Sequence, residues 1–322
     1  MSIENYIFPK EIVLEVTNAC NLSCSHCHFH SSLARKKRPI RFMHRDTWTK
    51  VLLELQNIDT HVSLLTHGAG EPLLHPELYE ILQRARKIQG VSIGFMTNGM
   101  LLDETWSKKL VDLQLDFLAL SIDGTVADTH DHYRCGADLE KIERNIVRLI
   151  QEKQRQGSAL PVLSFNMVCY PAIENQGASY VEKWLPHAST VTLSKFRPVG
   201  SRKLWQNGPE VKFRPCPLLW NQMVIGCDGK VGLCCEDINI EFSPGTLDVD
   251  SMYEIYNKSK LLKCYRNNHL RGNVLELQHC SDCHIWSGDI TLEEKIIEVI
   301  GIRTLKRITP AFTAYTHGNR NG

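Results

Sequence analysis

The segment Thr17-Asn18-Ala19-Cys20-Asn21-Leu22-Ser23-Cys24-Ser25-His26-Cys27 follows directly on residues 12–16, a run of β-forming side chains. Its cysteines are spaced Cys-x3-Cys-x2-Cys. Three thiolates on one short loop can hold three irons of a [4Fe–4S] cluster and leave the fourth iron open to a substrate or cofactor. The same loop can also hold zinc, with His28 or His30 as the fourth ligand. Spacing alone does not separate the two.

Outward from this loop, β-rich runs at 12–16, 62–66, 91–97, 117–122, 162–168 and 191–196 alternate with stretches of helical periodicity at 46–56, 76–88, 103–114, 139–153 and 178–185. Pro76 is read as the first helical position of the second helix, where a fixed φ and a missing N–H are tolerated. Repeated strand-then-helix order predicts right-handed crossovers and a parallel sheet. Six strands are too few for an eight-fold barrel. The predicted fold class is therefore α/β, with a partial six-stranded barrel over residues 1–200. Residues 201–290 read as a small cysteine-rich domain, with a hairpin signal at Asp228-Gly229 and a helix over 252–263. That span holds too little apolar sequence for a core without a metal cluster. Residues 291–322 read as a helix over 292–300 and a basic tail containing Arg303, Lys306, Arg307 and Arg320.

The chain has 322 residues, 43% hydrophobic and 23% charged, and a net charge of +1. That balance points to neither nucleic acid nor an anionic membrane as partner. No apolar run approaches the length of a spanning helix. The first residues lack the basic-then-apolar order of a secretory signal. The expected location is the cytoplasm, where thiols stay reduced. The 12 cysteines, three in the opening loop and seven between residues 216 and 283, therefore suggest two metal centres.

Gly68-Ala69-Gly70-Glu71-Pro72 closes the second predicted strand and Met96-Thr97-Asn98-Gly99 the third. Ser121-Ile122-Asp123-Gly124 closes the fourth, and His130-Asp131-His132-Tyr133-Arg134 follows. Together with the cysteine loop, these segments resemble the radical S-adenosylmethionine (radical SAM) superfamily. The resemblance implies a SAM-binding [4Fe–4S] cluster on Cys20, Cys24 and Cys27, whose open iron chelates the methionine part of SAM. It implies Glu71 and the backbone of Gly68 and Gly70 at the SAM ammonium, and Ser121 and Arg134 at its carboxylate. It also implies Asn98 at the ribose, His26 at the adenine, and a one-electron reductant such as flavodoxin or ferredoxin as partner. Ala69 stands where the family's Gly-Gly-Glu-Pro segment has its first glycine.

Cys216, Cys227-Asp228-Gly229, Cys234-Cys235 and Cys280-Ser281-Asp282-Cys283 resemble the shortened SPASM-like module called a twitch domain. The resemblance implies a second, auxiliary [4Fe–4S] cluster on Cys216, Cys234, Cys280 and Cys283. A zinc ribbon is the alternative on the residues alone. Cys227 and Cys264 read as small packed hydrophobes, and Cys235 as a strand neighbour pointing away from its ligand.

For activity, the resemblance implies cleavage of SAM to a 5′-deoxyadenosyl radical that abstracts a hydrogen atom from a small polar substrate. An auxiliary cluster with no open iron suits electron transfer. The chain therefore resembles the inosamine dehydrogenases of aminoglycoside biosynthesis, which oxidise an amino sugar or cyclitol alcohol. Two other reactions stay open. An epimerase would use Cys169, at the end of the fifth strand, as hydrogen-atom donor; the same thiol can equally be packed at a strand end. A peptide maturase is less favoured, because a first strand starting by residue 12 leaves no room for a leader-binding domain. A purely structural iron–sulfur protein leaves Glu71, Ser121 and Arg134 unexplained. His28, His30, His67 and Arg197, near strand ends or the cysteine loop, are candidates to orient or deprotonate a substrate hydroxyl; His30 and His67 can equally face solvent or support a neighbouring group. The run Arg35-Lys36-Lys37-Arg38, with Arg41, reads as a solvated face or, less often, an anion site.

Overall fold

Alternating β-formers and helix-spaced apolar residues build the expected order in the computed structural model, of which residues 8–199, 213–281, 283–287, 293–299, 302–308 and 312–318 are described here. In chain order the elements are β1 (Glu11–Leu14), α1 (Arg45–Leu55), β2 (Val62–Leu65), α2 (Leu78–Arg86), β3 (Val91–Thr97), α3 (Glu104–Asp112), β4 (Phe117–Ser121), α4 (Ala127–Tyr133), α5 (Leu139–Gln156), β5 (Val162–Cys169), α6 (Gly177–Trp184) and β6 (Thr190–Lys195). There follow α7 (Leu218–Asn221), β7 (Gln222–Ile225), β8 (Lys230–Gly232), β9 (Gly245–Thr246), α8 (Met252–Lys258), α9 (Lys260–Arg271), α10 (His284–Ser287), β10 (Glu293–Val299), β11 (Ile302–Ile308) and β12 (Phe312–His317). Two compact units divide the chain. The first draws on 1–21, 35–95 and 213–286, the second on 22–34, 96–212 and 287–322. They are interleaved in sequence. The expected boundary at 200/201 lies outside the described residues.

In the first unit, β2 pairs in parallel with β1 and β3. The other edge of β1 takes β7 in parallel, from Glu11 opposite Gln222 to Leu14 opposite Ile225. β8 and β9 follow antiparallel, so the cysteine-rich region builds onto β1 itself. The expected hairpin at Asp228-Gly229 joins β7 to β8, with Gly229 at φ +79°, a left-handed conformation that glycine adopts without a Cβ clash. α1 buries Trp48, Val51, Leu52 and Leu55, a stripe at the helical period. Two expectations need correction. Pro76 precedes α2 instead of opening it, because His75 takes the Glu77 N–H with Nδ1 and the Leu78 N–H with its carbonyl, making a turn first. The helix expected over 252–263 is two helices, broken where Ser259 is extended at ψ 125°.

In the second unit, β4, β5 and β6 are parallel. Apolar residues of α5 recur at Leu139, Ile142, Ile146 and Leu149, all buried. Phe165 of β5 stacks on Trp184 at 4.4 Å. The helix and tail expected over 291–322 are instead three antiparallel strands, β10 and β11 and then β12, which pairs with β6. β-branched residues are dense here: Ile296, Ile297, Val299, Ile302 and Thr304. The register sets Glu294 opposite Arg307 and Glu298 opposite Arg303. Arg320 lies outside the described residues. Among the described residues, no helix is long and apolar enough to cross a membrane.

Candidate active site and cysteine cavity

In the first unit the end of β1 carries Glu15, which is buried. Arg38 grips its carboxylate bidentately, at 2.6 and 2.9 Å. The same carboxylate accepts from the N–H groups of Ala69 at 3.0 Å and Cys227 at 3.2 Å, while Arg38 also donates to the Ile238 carbonyl at 2.7 Å. The basic run is thus not a uniformly solvated face: Arg38 is its buried member, and Lys37 pairs with Glu241 at 2.6 Å. Beyond β2, a Cβ at Gly68 would come 2.5 Å from Glu15 Cγ, and one at Gly70 only 2.3 Å from the Ala19 carbonyl oxygen. Glycine is therefore required at both positions by the chain itself, which packs against the segment leading to Cys20. Glu71 is buried, caps the turn at Pro72–Leu74 through Leu73 N–H at 3.2 Å, and donates its own N–H to Ala19 at 2.8 Å. His67 is half-buried, its Nδ1 is enclosed without a hydrogen-bond partner, and burial pushes its pKa down to about 4. Cys20 is half-buried.

In the second unit, burial pushes the Cys24 thiol up to about 11, against the pull of the Arg134 guanidinium. Ligation there must accompany proton loss. Cys27 Sγ accepts from the N–H groups of Phe29 at 3.4 Å and His30 at 3.1 Å. Arg134 is buried and already engaged. Its Nε lies 2.8 Å from Asp123 Oδ2 and its Nη2 donates to Oδ1 at 3.2 Å. Asp123 Oδ1 also accepts from Val168 N–H at 2.8 Å. His26 Nδ1 is 2.5 Å from the Tyr170 hydroxyl; burial, then the Arg134 charge, lowers its pKa to about 4. Tyr170 stacks between Tyr133 at 3.7 Å and Phe196 at 4.7 Å. Asn98 is buried and closes a tight turn by accepting from Met100 N–H at 3.0 Å. Ser121 is half-buried at the end of β4, as is Arg197 just beyond β6. His28 and His30 are half-buried on the loop. Cys169, the last residue of β5, is half-buried, and its thiol is pushed up to about 11 by burial and then by the Glu174 and Asp123 carboxylates.

A separate cavity lies wholly within the first unit. Cys216, Cys234, Cys280 and Cys283 all line it, with Leu218, Leu219, Leu233 and Ile285 among the apolar walls. His269 and His279, both buried, line it too, as do Glu236 and Trp286, whose ring N–H donates to the Cys280 carbonyl at 2.5 Å. Burial raises the Cys216 and Cys234 thiols above their ordinary range. His279 Nε2 is 3.5 Å from Cys234 Sγ. Among the described residues, no three His, Cys, Asp or Glu side chains close on one point as around a single metal ion. Four thiols spread round a dry cavity fit a cluster. Of the remaining cysteines, Cys227 is buried, whereas Cys264 is exposed on α9 and so is not the packed hydrophobe expected. Cys235 is exposed in a turn, not in a strand.

The family model of the radical SAM superfamily matches residues 14–172, and that of the SPASM iron–sulfur cluster-binding domain matches residues 216–284. The chain belongs to the radical SAM superfamily. A SAM-binding [4Fe–4S] cluster and auxiliary iron–sulfur binding come with those two domains. The parallel-rich α/β fold agrees with the partial barrel of radical SAM enzymes. BtrN, solved in complex with AdoMet and 2-DOIA, has a TM-score of 0.58 at 17% identity over 86% of this chain and 93% of that one. SuiB of Streptococcus suis, solved bound to S-adenosylmethionine, has a TM-score of 0.64 at 14% identity over 81% and 68%. Among curated relatives, the tungsten-containing aldehyde ferredoxin oxidoreductase cofactor-modifying protein of Pyrococcus furiosus is 26% identical over 163 residues. That stretch is 49% of this chain and 43% of the relative, so the chain spans less than half of that protein's length.

Against this radical SAM background, sequence reasoning overlooked Glu15, Arg38, Asp123, Tyr170 and the cavity histidines. Asp123 stood inside a quoted motif and His279 directly before Cys280, so both had a local signal. Glu15 had none, since its partners lie 23, 54 and 212 residues away.

Proposed function

We propose that this chain is a radical SAM oxidoreductase that removes two electrons and two protons from a small polar alcohol, of amino-sugar or cyclitol type. The observation that carries the reading is the cavity with four cysteines on its wall, which suits a fully protein-ligated cluster able to accept an electron. In this reading Cys20, Cys24 and Cys27 hold the SAM cluster, which supplies a 5′-deoxyadenosyl radical when reduced. Glu71 and the Gly68–Gly70 backbone meet the SAM ammonium. Ser121 and Arg134, the latter steadied by Asp123, meet the carboxylate. Asn98 serves the ribose and His26 the adenine. His28, His67 or Arg197 orients the substrate hydroxyl and takes its proton. Likeness to BtrN extends to the fold alone, so the substrate class is ours. A flavodoxin- or ferredoxin-type protein is the proposed reductant.

A second reading has one observation in its favour. Cys169 closes β5 and its thiol is held protonated, keeping an intact S–H that could quench a substrate radical in an epimerase. One experiment separates the two. Anaerobically reconstituted enzyme is incubated with SAM, dithionite and candidate amino sugars or cyclitols, in H2O and in D2O, and products are weighed by mass spectrometry. Oxidation gives a product two mass units lighter. A product of unchanged mass in H2O that takes up deuterium in D2O, and loses it in Cys169→Ala, would replace the oxidoreductase by the epimerase. Cys24→Ala should form no 5′-deoxyadenosine in either case.

A further inference from the structure

His269 sits on α9 and is completely buried. Its Nδ1 receives the backbone N–H of Cys216 at 3.2 Å. A backbone amide can only donate, so Nδ1 is the acceptor nitrogen of the ring and the imidazole proton resides on Nε2. That Nε2 is enclosed and has no hydrogen-bond partner. An orphaned buried donor is rare, and native chains retain one where something absent from the protein chain satisfies it. The ring is also part of the wall that Cys216, Cys234, Cys280 and Cys283 share. The missing acceptor is therefore to be sought inside that cavity, where every group expected to arrive carries sulfur.

We propose that His269 donates its Nε2–H to a sulfur of the auxiliary cluster and thereby raises the reduction potential of that cluster. This rests on the four-cysteine reading of the cavity given above. Hydrogen bonds to cluster sulfurs are among the protein's means of setting potential, because they stabilise the extra negative charge of the reduced state. His269 is thus a positioning residue for electron acceptance: through Nδ1 it fixes the backbone at one ligand, and through Nε2 it tunes the metal group. His279, 3.5 Å from Cys234 Sγ, is a neighbouring contributor with partners of its own.

The test is redox titration of the reconstituted full-length holoenzyme, followed by electron paramagnetic resonance. SAM is added so that the signal it shifts identifies the first cluster and leaves the second assignable. His269→Phe should retain its iron and lower the midpoint potential of the second cluster, with the first unmoved. His269→Gln, which can both accept from Cys216 N–H and donate, should bring the potential back toward the starting value. Equal potentials in all three proteins would overturn the proposal, since a purely structural histidine would not move them. Should His269→Phe lose the second cluster, the unaltered enzyme decides. 15N-histidine labelling combined with the His279→Phe change should leave a weak nitrogen coupling on the reduced second cluster, and no coupling would refute the assignment. Absence of any second cluster from the unaltered enzyme is a different failure, because it removes the reading of the cavity itself.

Discussion

The two cysteine regions are built from opposite materials. Around Cys24 the interior is charged: Arg134 and Asp123 form a buried ion pair, and His26 and Tyr170 share a hydrogen bond. Around Cys216 and Cys234 it is mainly apolar, with leucines, Ile285, Trp286 and two histidines, and a single carboxylate, Glu236, on the wall. The difference follows the work proposed for each. A cluster that must receive a charged, exchangeable ligand needs fixed charges of both signs nearby. A cluster closed by four thiolates needs a dry wall and a few N–H donors that tune it.

Metal content is the most drastic way to break this comparison. Replacing Cys20, Cys24 and Cys27 together by Ala should leave about half of the iron, from equal four-iron clusters, and abolish SAM cleavage. The Cys216→Ala/Cys234→Ala pair should lose the other half and retain slow SAM cleavage without substrate. Iron analysis and 5′-deoxyadenosine assays check both. If either set removed all the iron, the two regions would not be independent sites.

Next in size is Glu15→Ala. It strands the buried Arg38 charge and should cost about 3–5 kcal/mol in chemical denaturation. Glu15→Ala/Arg38→Met should recover much of that loss. Asp123→Ala leaves Arg134 stranded in the same way and should cost a similar amount, but it should weaken SAM binding more than Glu15→Ala does, because Glu15 supports the proposed ammonium segment only from behind, through Ala69 N–H. Equal SAM affinity in both variants would erase the functional half of the contrast.

Gly70→Ala comes third. A methyl group 2.3 Å from the Ala19 carbonyl oxygen must push the segment before Cys20 aside. The expected cost is about 1–3 kcal/mol, with a reduced yield of the first cluster and an unaltered second one, read from the two resonance signals.

The smallest effect concerns acid. Burial lowers His67 to about 4 from an ordinary value of 6.5. Between those values the unfolded chain binds the proton and the folded chain does not. Stability contributed by the neutral ring is therefore complete above pH ~6.5 and is lost as pH falls toward ~4. Denaturation of His67→Asn over this range should show a shallower decline than the unaltered chain, and parallel declines would assign the acid sensitivity elsewhere.

The strands β1–β6, five of the six helices between them (all but α4) and the cysteine spacing were legible because each is a local pattern. Period 2 against period 3.6, glycine before a turn and fixed cysteine spacing all survive without knowledge of the fold. Residues 293–299 misled for the complementary reason: EEKIIEV is short and compatible with either period, and its partner strand at 302–308 decided between them. Arg134 was readable as a cation, but its engagement by Asp123 was not.

Local spacing along the chain was enough to pick out the residues proposed for the chemistry: Cys20, Cys24 and Cys27 on one loop, the Gly68–Glu71 segment, and four later cysteines. Their surroundings come from packing between distant segments. Glu15 meets Arg38, Ala69 and Cys227 across as many as 212 residues of chain, and the ring of His269 reaches the amide of Cys216 from a helix 53 residues on. Charge pairing and hydrogen bonding in a low-dielectric interior are satisfied by whichever group the packing brings near, and no spacing along the chain specifies that group.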